Sequence, residues 1–509
     1  MVKKALLCAA ALSFAGVAGV AHADELSDLK KLSEQLKQQN QQLMQRIDQL
    51  EQRQNRDEAQ ISAQAAQPAA APAPQIPAAD GSLTWKGVTL YGGVDLGVAY
   101  QSHGTPLNTD YGPGLEYMVS KNGNKSLVSF APNALSYSNL GIKGEEELFP
   151  GLKGIFNVQS TFVPTSGAIS DGLRSQVENN GIALNKQTSN GDSSRAGQPF
   201  NGAAYIGLSS DTYGTLTVGR QNALTLDGVI AYDPMGASNA FSVIGYQGAT
   251  AGVGDTEDAR LDSTLKYRVN IGPVRAAALY QLEGYSSADQ HSAYQFQLGT
   301  DYMGFSADAI YSQTYDAVST SALSAAQLAT AGVNPNGLSG TISDNWSYML
   351  LGSYKFDESV LPLKLMAGFE HIQFDNPDHP VGAGTSTIGG YDLTLVNNAA
   401  FTQNRVLEIY WGGGKWAVTP ALDLIGAYYH EYQNSFFTNS HHQEVRCDNT
   451  SASSCAGNLD AFSLVADYKL SKRFDLYGGF MYSEVSGGLE NGFLFSSSID
   501  PTVGARFRF

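Results

Sequence analysis

The sequence is poor in charge, in cysteine and in long apolar runs, and each shortage excludes something. Charged residues make up 16% of 509 positions, where a soluble domain averages about 25%. The charge that is present has the wrong sign for nucleic acid, with 31 Lys and Arg against 48 Asp and Glu and a net charge of −17. A nucleic-acid binder gains its affinity by neutralising phosphates, so no nucleic-acid partner is expected. Beyond residue 23 there is no run of about 18 apolar residues, which excludes a helical membrane protein. It does not exclude a membrane barrel, whose alternating strands average out in hydropathy. What the chain does have is 54 Gly, 26 Tyr and 22 Phe, a composition that suits many strands and turns.

Residues 1–23 read as a signal peptide: Lys3 and Lys4, an apolar stretch from Ala5 to Val20, then the small-residue cleavage pattern Ala21-His22-Ala23. The mature chain begins at Asp24 on this reading and carries two fewer positive charges, a net −19. Of the three cysteines, Cys8 lies in the leader, too early to be a lipid-anchored cysteine. Cys447 and Cys455 remain, eight positions apart in a polar stretch, and in an oxidising compartment such a pair closes a loop as a disulfide. A metal site built from His441, His442 and these cysteines would need a spacing that fits no established zinc pattern. No metal and no cofactor are expected.

From Leu26, leucine recurs every seven residues at Leu29, Leu36, Leu43 and Leu50, with Leu26, Ser33, Asn40 and Ile47 three positions earlier in each heptad. This is a coiled-coil pattern over residues 24–61, and a buried Asn40 would specify register and strand number. One helix cannot bury the seam alone, so an oligomer is expected. A continuous helix over 26–61 would reach roughly 54 Å. Residues 62–80, including Gln67-Pro68-Ala69-Ala70-Ala71-Pro72-Ala73-Pro74, form a Pro/Ala-rich linker that breaks the helix and acts as a semi-extended spacer.

Residues 81–509 show alternating strands that recur in pairs. The pattern predicts sixteen strands, running from 86–101 and 134–147 through 305–315 and 343–356 to 499–509. Tight connections such as Phe149-Pro150, Asp211-Thr212-Tyr213, Gly272-Pro273 and Thr419-Pro420 alternate with long ones. Short turns on one side and long loops on the other mark an outer-membrane barrel, with the turns periplasmic. Strand faces agree. In Arg260–Ile271, Leu261, Leu265, Tyr267, Val269 and Ile271 share one face, with Arg260, Asp262, Thr264, Lys266, Arg268 and Asn270 on the other. The last strand sets Val503, Ala505, Phe507 and Phe509 against Thr502, Arg506 and Arg508. The expected fold class is all-β, a 16-stranded antiparallel transmembrane β-barrel with an N-terminal α-helical coiled coil in the periplasm.

Several stretches resemble the trimeric general diffusion porins of Gram-negative bacteria, especially the β-proteobacterial type. They are Val88-Thr89-Leu90-Tyr91-Gly92, the run from Leu140-Gly141-Ile142-Lys143-Gly144 through Gly151-Leu152-Lys153-Gly154-Ile155-Phe156, Ala204-Tyr205-Ile206-Gly207-Leu208, Tyr213-Gly214-Thr215-Leu216-Thr217-Val218-Gly219-Arg220-Gln221, and the terminal Val503-Gly504-Ala505-Arg506-Phe507-Arg508-Phe509. The resemblance implies a homotrimer in outer-membrane lipid and lipopolysaccharide. It also implies a third loop folded into the lumen, about Leu224–Asp258, carrying Asp227, Asp233, Asp255, Glu257 and Asp258. The family sets basic side chains on the wall opposite such acids. Lys143 and Arg220 match its motif positions, and strand parity adds Arg260, Lys266, Arg268 and Arg275. A C-terminal Phe serves the family as an assembly signal read by the outer-membrane assembly machinery, which implies that role for Phe509. The Arg that commonly precedes Leu-Gly-Ile-Lys is Asn139 here, and the coiled coil is an addition found in a related group that includes anion and dicarboxylate channels.

Opposed charges across a narrow aqueous gap create a transverse field that favours small hydrophilic solutes. The expected function is an outer-membrane porin, a water-filled channel for passive diffusion of such solutes and ions. The Arg260, Lys266 and Arg268 face leans it toward anions or small carboxylates. Strict alternation places Arg220 with Leu216 and Val218, so turning it inward requires a bulge near Gly219 or lumen-side packing of Val218. An enzyme is not expected, because His103, His379, His441 and His442 have no nucleophile partner and no nucleophile elbow occurs. An adhesin or envelope tether is the structural alternative, but a trimeric adhesin contributes only a few strands per chain.

Overall fold

Strand residues here alternate between an apolar side chain and a polar or small one, so each strand presents two chemically different faces, and in a membrane barrel the outer one meets lipid. The computed structural model describes residues 34, 37, 38, 41, 42 and 45, then 83–111, 123, 125–191, 197–245, 260–282, 292–382, 387–388, 391–438 and 446–509. The chain divides into two units, Met1–Gln75 and Ile76–Phe509. In the first, the six described residues are helical. The heptad leucines Leu29, Leu36, Leu43 and Leu50, the signal peptide and the linker all lie outside the described residues.

The second unit is a closed, 16-stranded antiparallel barrel. Its strands are β1 (Val88–Gly104), β2 in two pieces (Lys125–Pro132 and Asn139–Phe149), β3 (Leu152–Thr161), β4 (Ala203–Ser210), β5 (Gly214–Asn222), β6 (Arg260–Ile271), β7 (Val274–Gln281) and β8 (Ser292–Tyr302). They continue as β9 (Phe305–Ser321), β10 (Leu338–Lys355), β11 (Leu363–Asp375), β12 (Arg405–Thr419), β13 (Leu422–Gln433), β14 (Gly457–Lys469), β15 (Phe474–Gly487) and β16 (Ser497–Arg508). Each pairs with the next, and β16 closes on β1 with Gly93 opposite Arg508 and Ala99 opposite Thr502. Phe509 completes the seam by exchanging backbone hydrogen bonds with Gly92, at 3.0 and 3.1 Å.

The tight connections are those expected from the sequence, and two φ > 0 residues, Met303 and Gly304, make the β8–β9 turn. At the loop end the strands run further than the alternation predicts. β2 starts at Lys125, not 134, because Asn133 (φ 58°) opens a kink over 133–138 that interrupts the pattern. The Asp95 carboxylate fills that kink, accepting from the backbone N–H groups of Leu135 (3.1 Å) and Ser136 (2.7 Å). β9 continues to Ser321, and β10 begins at Leu338, where it runs parallel to Tyr391–Asn398.

Large apolar side chains face outward, among them Ile206 (67% exposed), Leu298 (62%) and Val503 (61%). The packed core lies inside the barrel, built from inward side chains such as Leu279, Ile310, Met349, Ile372 and Trp411 around the third loop. One expected face is corrected here. Leu261 is 2% exposed and joins this inner core instead of the lipid face. The register slips between Gly219 and Gln221, and Ser263 takes φ 55°, so the β6 side chains change sides between Leu261 and Leu265.

The expected loop closure by the two cysteines is present. Cys447 and Cys455, with Cα atoms 5.6 Å apart, form a disulfide in the connection between β13 and β14. His441 and His442 lie outside the described residues.

Candidate functional site: the lumen around the third loop

The third loop leaves β5 and turns at once into a helix, α1 (Leu224–Tyr232), with Asp227 in its first turn, where a carboxylate suits the helix dipole. Leu224, Leu226, Val229 and Tyr232 are buried, and a helix apolar on most sides belongs in a core. It packs on β7–β11. Close approach is possible because residue 228 is Gly: a Cβ there would stand 2.7 Å from Ile310 Cδ1 and 2.8 Å from Leu351 Cδ1.

Polar bonds pin the far end of this helix. The Tyr232 hydroxyl donates to Asp308 Oδ2 at 2.6 Å and accepts from Arg275 Nη2 at 2.6 Å. Arg275 also binds Asp308 (2.7 Å) and reaches Asp301. Trp411 Nε1 donates to the Tyr232 carbonyl at 3.1 Å. Asp233 then accepts from the Tyr429 hydroxyl at 2.6 Å and from the backbone of Met235 and Ala237. Burial pushes its carboxyl above the ordinary value, the Tyr429 bond pulling the other way. Farther on, Asn239 Nδ2 donates to the Asn133 carbonyl (2.8 Å), Ala240 N to the Ala134 carbonyl (2.9 Å), and Phe241 meets Tyr477 edge-on at 6.3 Å. The loop therefore follows the inner wall from β7 round to β15 and on to the kink of β2.

Among the described residues, that path leaves open the inner wall around Tyr91, Asn157, Tyr205 and Thr217. A cavity of about 480 Å³ there is lined by Tyr91, Asn157, Gln159, Tyr205, Thr217, Lys266 and Arg268, with Asp227 on the loop side. A second cavity of about 540 Å³ toward the short turns shares Thr215 and Arg268 with it and adds Asp211, Arg275 and Gln297. The lining is polar, as a water-filled passage requires.

The expected charges separate into three kinds. Lys266 and Arg268 line the gap and both bind Asp227 Oδ2, Lys266 Nζ at 2.5 Å. This corrects the picture of acids and bases held apart across water, because the first-turn acid of the loop touches the basic strand that follows it. Lys143 faces the same space, exposed, with Nζ 5.5 Å from the centre of the Tyr91 ring and no carboxylate at ion-pair distance among the described residues. Arg220, Arg275 and Asp233 are engaged elsewhere. Arg220 is 6% exposed and pairs with Asp262 (2.6 Å) and the Asn201 carbonyl, held by the bulge at Gly219 (φ 128°). Arg275 and Asp233 anchor the loop. Arg260 opens β6 opposite Asn222 and is partly buried; because it precedes the inward Leu261, the change of sides at Ser263 takes it off the expected inward face of Lys266 and Arg268. Asp255, Glu257 and Asp258 lie outside the described residues.

Sequence reasoning assigned no role to a second set of lumen charges on β10–β16. Asp423 holds Lys415 and Lys469, each at 2.9 Å, and Asp475 holds Arg506 and Arg508, each at 2.7 Å. The usable signal is parity: Lys415 shares its face with Trp411, and Arg506 with the buried Thr502.

A family model described as Gram-negative porin matches residues 59–488. An outer membrane porin protein of Bordetella pertussis is 24% identical over 440 residues, covering 83% of this chain and 94% of its own. Among solved structures, OmpT of Vibrio cholerae superposes with a TM-score of 0.51 at 12% identity, covering 84% of this chain and 99% of that one, a likeness of fold. An anion-selective porin from Comamonas acidovorans gives a TM-score of 0.49 at 17% identity, covering 83% and 99%.

Proposed function

The chain belongs to the Gram-negative porin family, and from that premise we propose that its outer-membrane channel prefers anions and small carboxylates, with the constriction between the third loop and the β2–β6 wall. The observation that carries this reading is the charge balance at the gap. Lys266 and Arg268 line it with Asp227 the single carboxylate of that lining, and Lys143 lies over the ring of Tyr91, which also lines it. An excess of fixed positive charge in a narrow, low-dielectric passage raises the local concentration of anions and lowers that of cations. The net −17 of the whole chain does not oppose this, because selectivity is set where the passage is narrowest.

Diffusion through such a gap needs no chemical step, only binding weak enough to release the solute. Arg220, Arg260 and Arg275 shape the field from behind the lining, and Asp255, Glu257 and Asp258 would add their charges wherever the rest of the loop carries them. The working unit is a homotrimer in outer-membrane lipid and lipopolysaccharide, with Phe509 the assembly signal. Residues 24–61 form a periplasmic coiled coil joined by the linker of 62–80; deleting 24–80 should lower the thermal stability of the trimer, and an unchanged trimer would leave the segment without that role.

The direct test is the reversal potential of the reconstituted channel across a potassium chloride gradient, recorded with single-channel steps. The reading expects the sign of chloride preference and closures in threes. A potential of potassium sign would refute the anion preference.

A further inference from the structure

Three lysines stand directly opposite one another on the inner wall. Lys355 ends β10, Lys364 is its partner on β11, and Lys415 is the partner of Lys364 on β12. Like charges in direct cross-strand register lie about 5 Å apart at Cβ and repel. All three share the inward parity of their strands, with Ser353, Met366 and Trp411 respectively. They sit at the short-turn end, four to six strands round the wall from β6, which carries Lys266 and Arg268.

The local carboxylates do not neutralise this end of the wall. Among the described residues Lys355 has one ion-pair partner, the exposed Glu358, at 2.6 Å. Lys415 shares Asp423 with Lys469. Lys364 has no carboxylate at ion-pair distance among the described residues, and its Nζ makes a long 3.4 Å contact to the Ala231 carbonyl in the last turn of α1. Arg506 and Arg508 crowd Asp475, with Asp467 3.6 Å from Arg506. Six cations thus face four carboxylates along this band, and the surplus is concentrated at the register row. Its lysines are reachable from water, since the Lys355 and Lys415 side chains are 60% and 42% exposed.

We propose that Lys355, Lys364 and Lys415 form a second anion-binding station at the short-turn mouth of the pore, one that takes multivalent anions. It rests on the channel reading above, but not on the selectivity of the gap. A monovalent ion can neutralise one lysine at a time. An anion with two or three separated negative groups spans neighbouring strands and relieves the repulsion of the whole row, so valence is what the row discriminates.

Citrate serves as the probe, added to the full-length channel in a planar bilayer bathed in potassium chloride. Resolvable blocks of the chloride current are expected. Lys364→Gln should raise the half-blocking concentration roughly fivefold, the effect of about one charge contact in a water-like dielectric. Lys364→Arg should restore the block, and Lys355→Gln, at an exposed position, should weaken it comparably if Lys364→Gln fails to fold. Absence of citrate block, or block unaltered by both Gln variants, overturns the station. The two readings fail separately. A wild-type channel of potassium preference whose citrate block still depends on Lys364 keeps the station and loses the gap's anion preference. A chloride-preferring channel without Lys364-dependent block does the reverse.

Discussion

Two halves of one barrel wall use the same inward positions for opposite purposes. On β7–β12 those positions hold Leu279, Ile310, Met349, Leu351, Ile372 and Trp411, all nearly inaccessible. On β1–β6 they hold Tyr91, Lys143, Asn157, Tyr205, Thr217, Lys266 and Arg268 around open space. The strands are alike in antiparallel pairing, and the difference lies in the third loop, whose described residues cover the first set and not the second. In this barrel a run of apolar residues with inward parity therefore marks where the loop lies.

The largest expected break of this contrast is Trp411→Ala. It removes a side chain 4% exposed together with the bond to the Tyr232 carbonyl, at a cost of about 3–5 kcal/mol for a buried Trp. Because that cost falls on loop attachment, the account expects an enlarged and noisy single-channel current from barrels that still fold. An unchanged current would mean that the loop is held by other contacts.

A smaller effect sharpens the polar half. Replacing Lys266 and Arg268 together by Gln takes from Asp227 the two cations that now bind it, leaving the hydrogen bond from Asn222. The chloride-to-potassium permeability ratio should fall by roughly fivefold or more, read from the reversal potential. No shift would remove these residues from the selectivity argument.

The smallest effect concerns pH. The Asp233 carboxyl is raised above 3.8 by burial, so the attached loop binds its proton more tightly than a released loop does. The sign follows from linkage: attachment is strongest below the ordinary value and weakens as pH rises through the raised one. Current noise from loop motion should therefore increase with pH over that interval, and Asp233→Asn should flatten the dependence. Noise that rises on acidification would contradict the assignment.

Most of the barrel was legible in the sequence because membrane strands obey one rule, alternation, and sixteen segments that obey it also pair in order. Legibility failed where backbone conformation overrides parity. Asn133 at φ 58° hid the first piece of β2, and Ser263 at φ 55° moved Leu261 from the lipid side to the core. Asn is enriched in left-handed backbone without requiring it, and Ser gives no such signal. The site was legible to the level of residue lists. Lys266 and Arg268 line the gap as parity implied, but their contact with Asp227 depends on α1 beginning immediately after β5, and the anchoring roles of Arg275 and Asp233 depend on Asp308 and Tyr429, distant in sequence. The charge row on β10–β12 was invisible for the same reason, since cross-strand register is not written in any one strand.

The most direct test of where the pore runs is current block by a charged methanethiosulfonate reagent at single introduced cysteines. Cys447 and Cys455 are joined, so among the described residues the introduced thiol is the reactive one. Asn157→Cys on the open wall should lose current on modification, and Ile310→Cys beneath α1 should keep it. Equal modification of both, or block through Ile310→Cys alone, would contradict a constriction on the β1–β6 side.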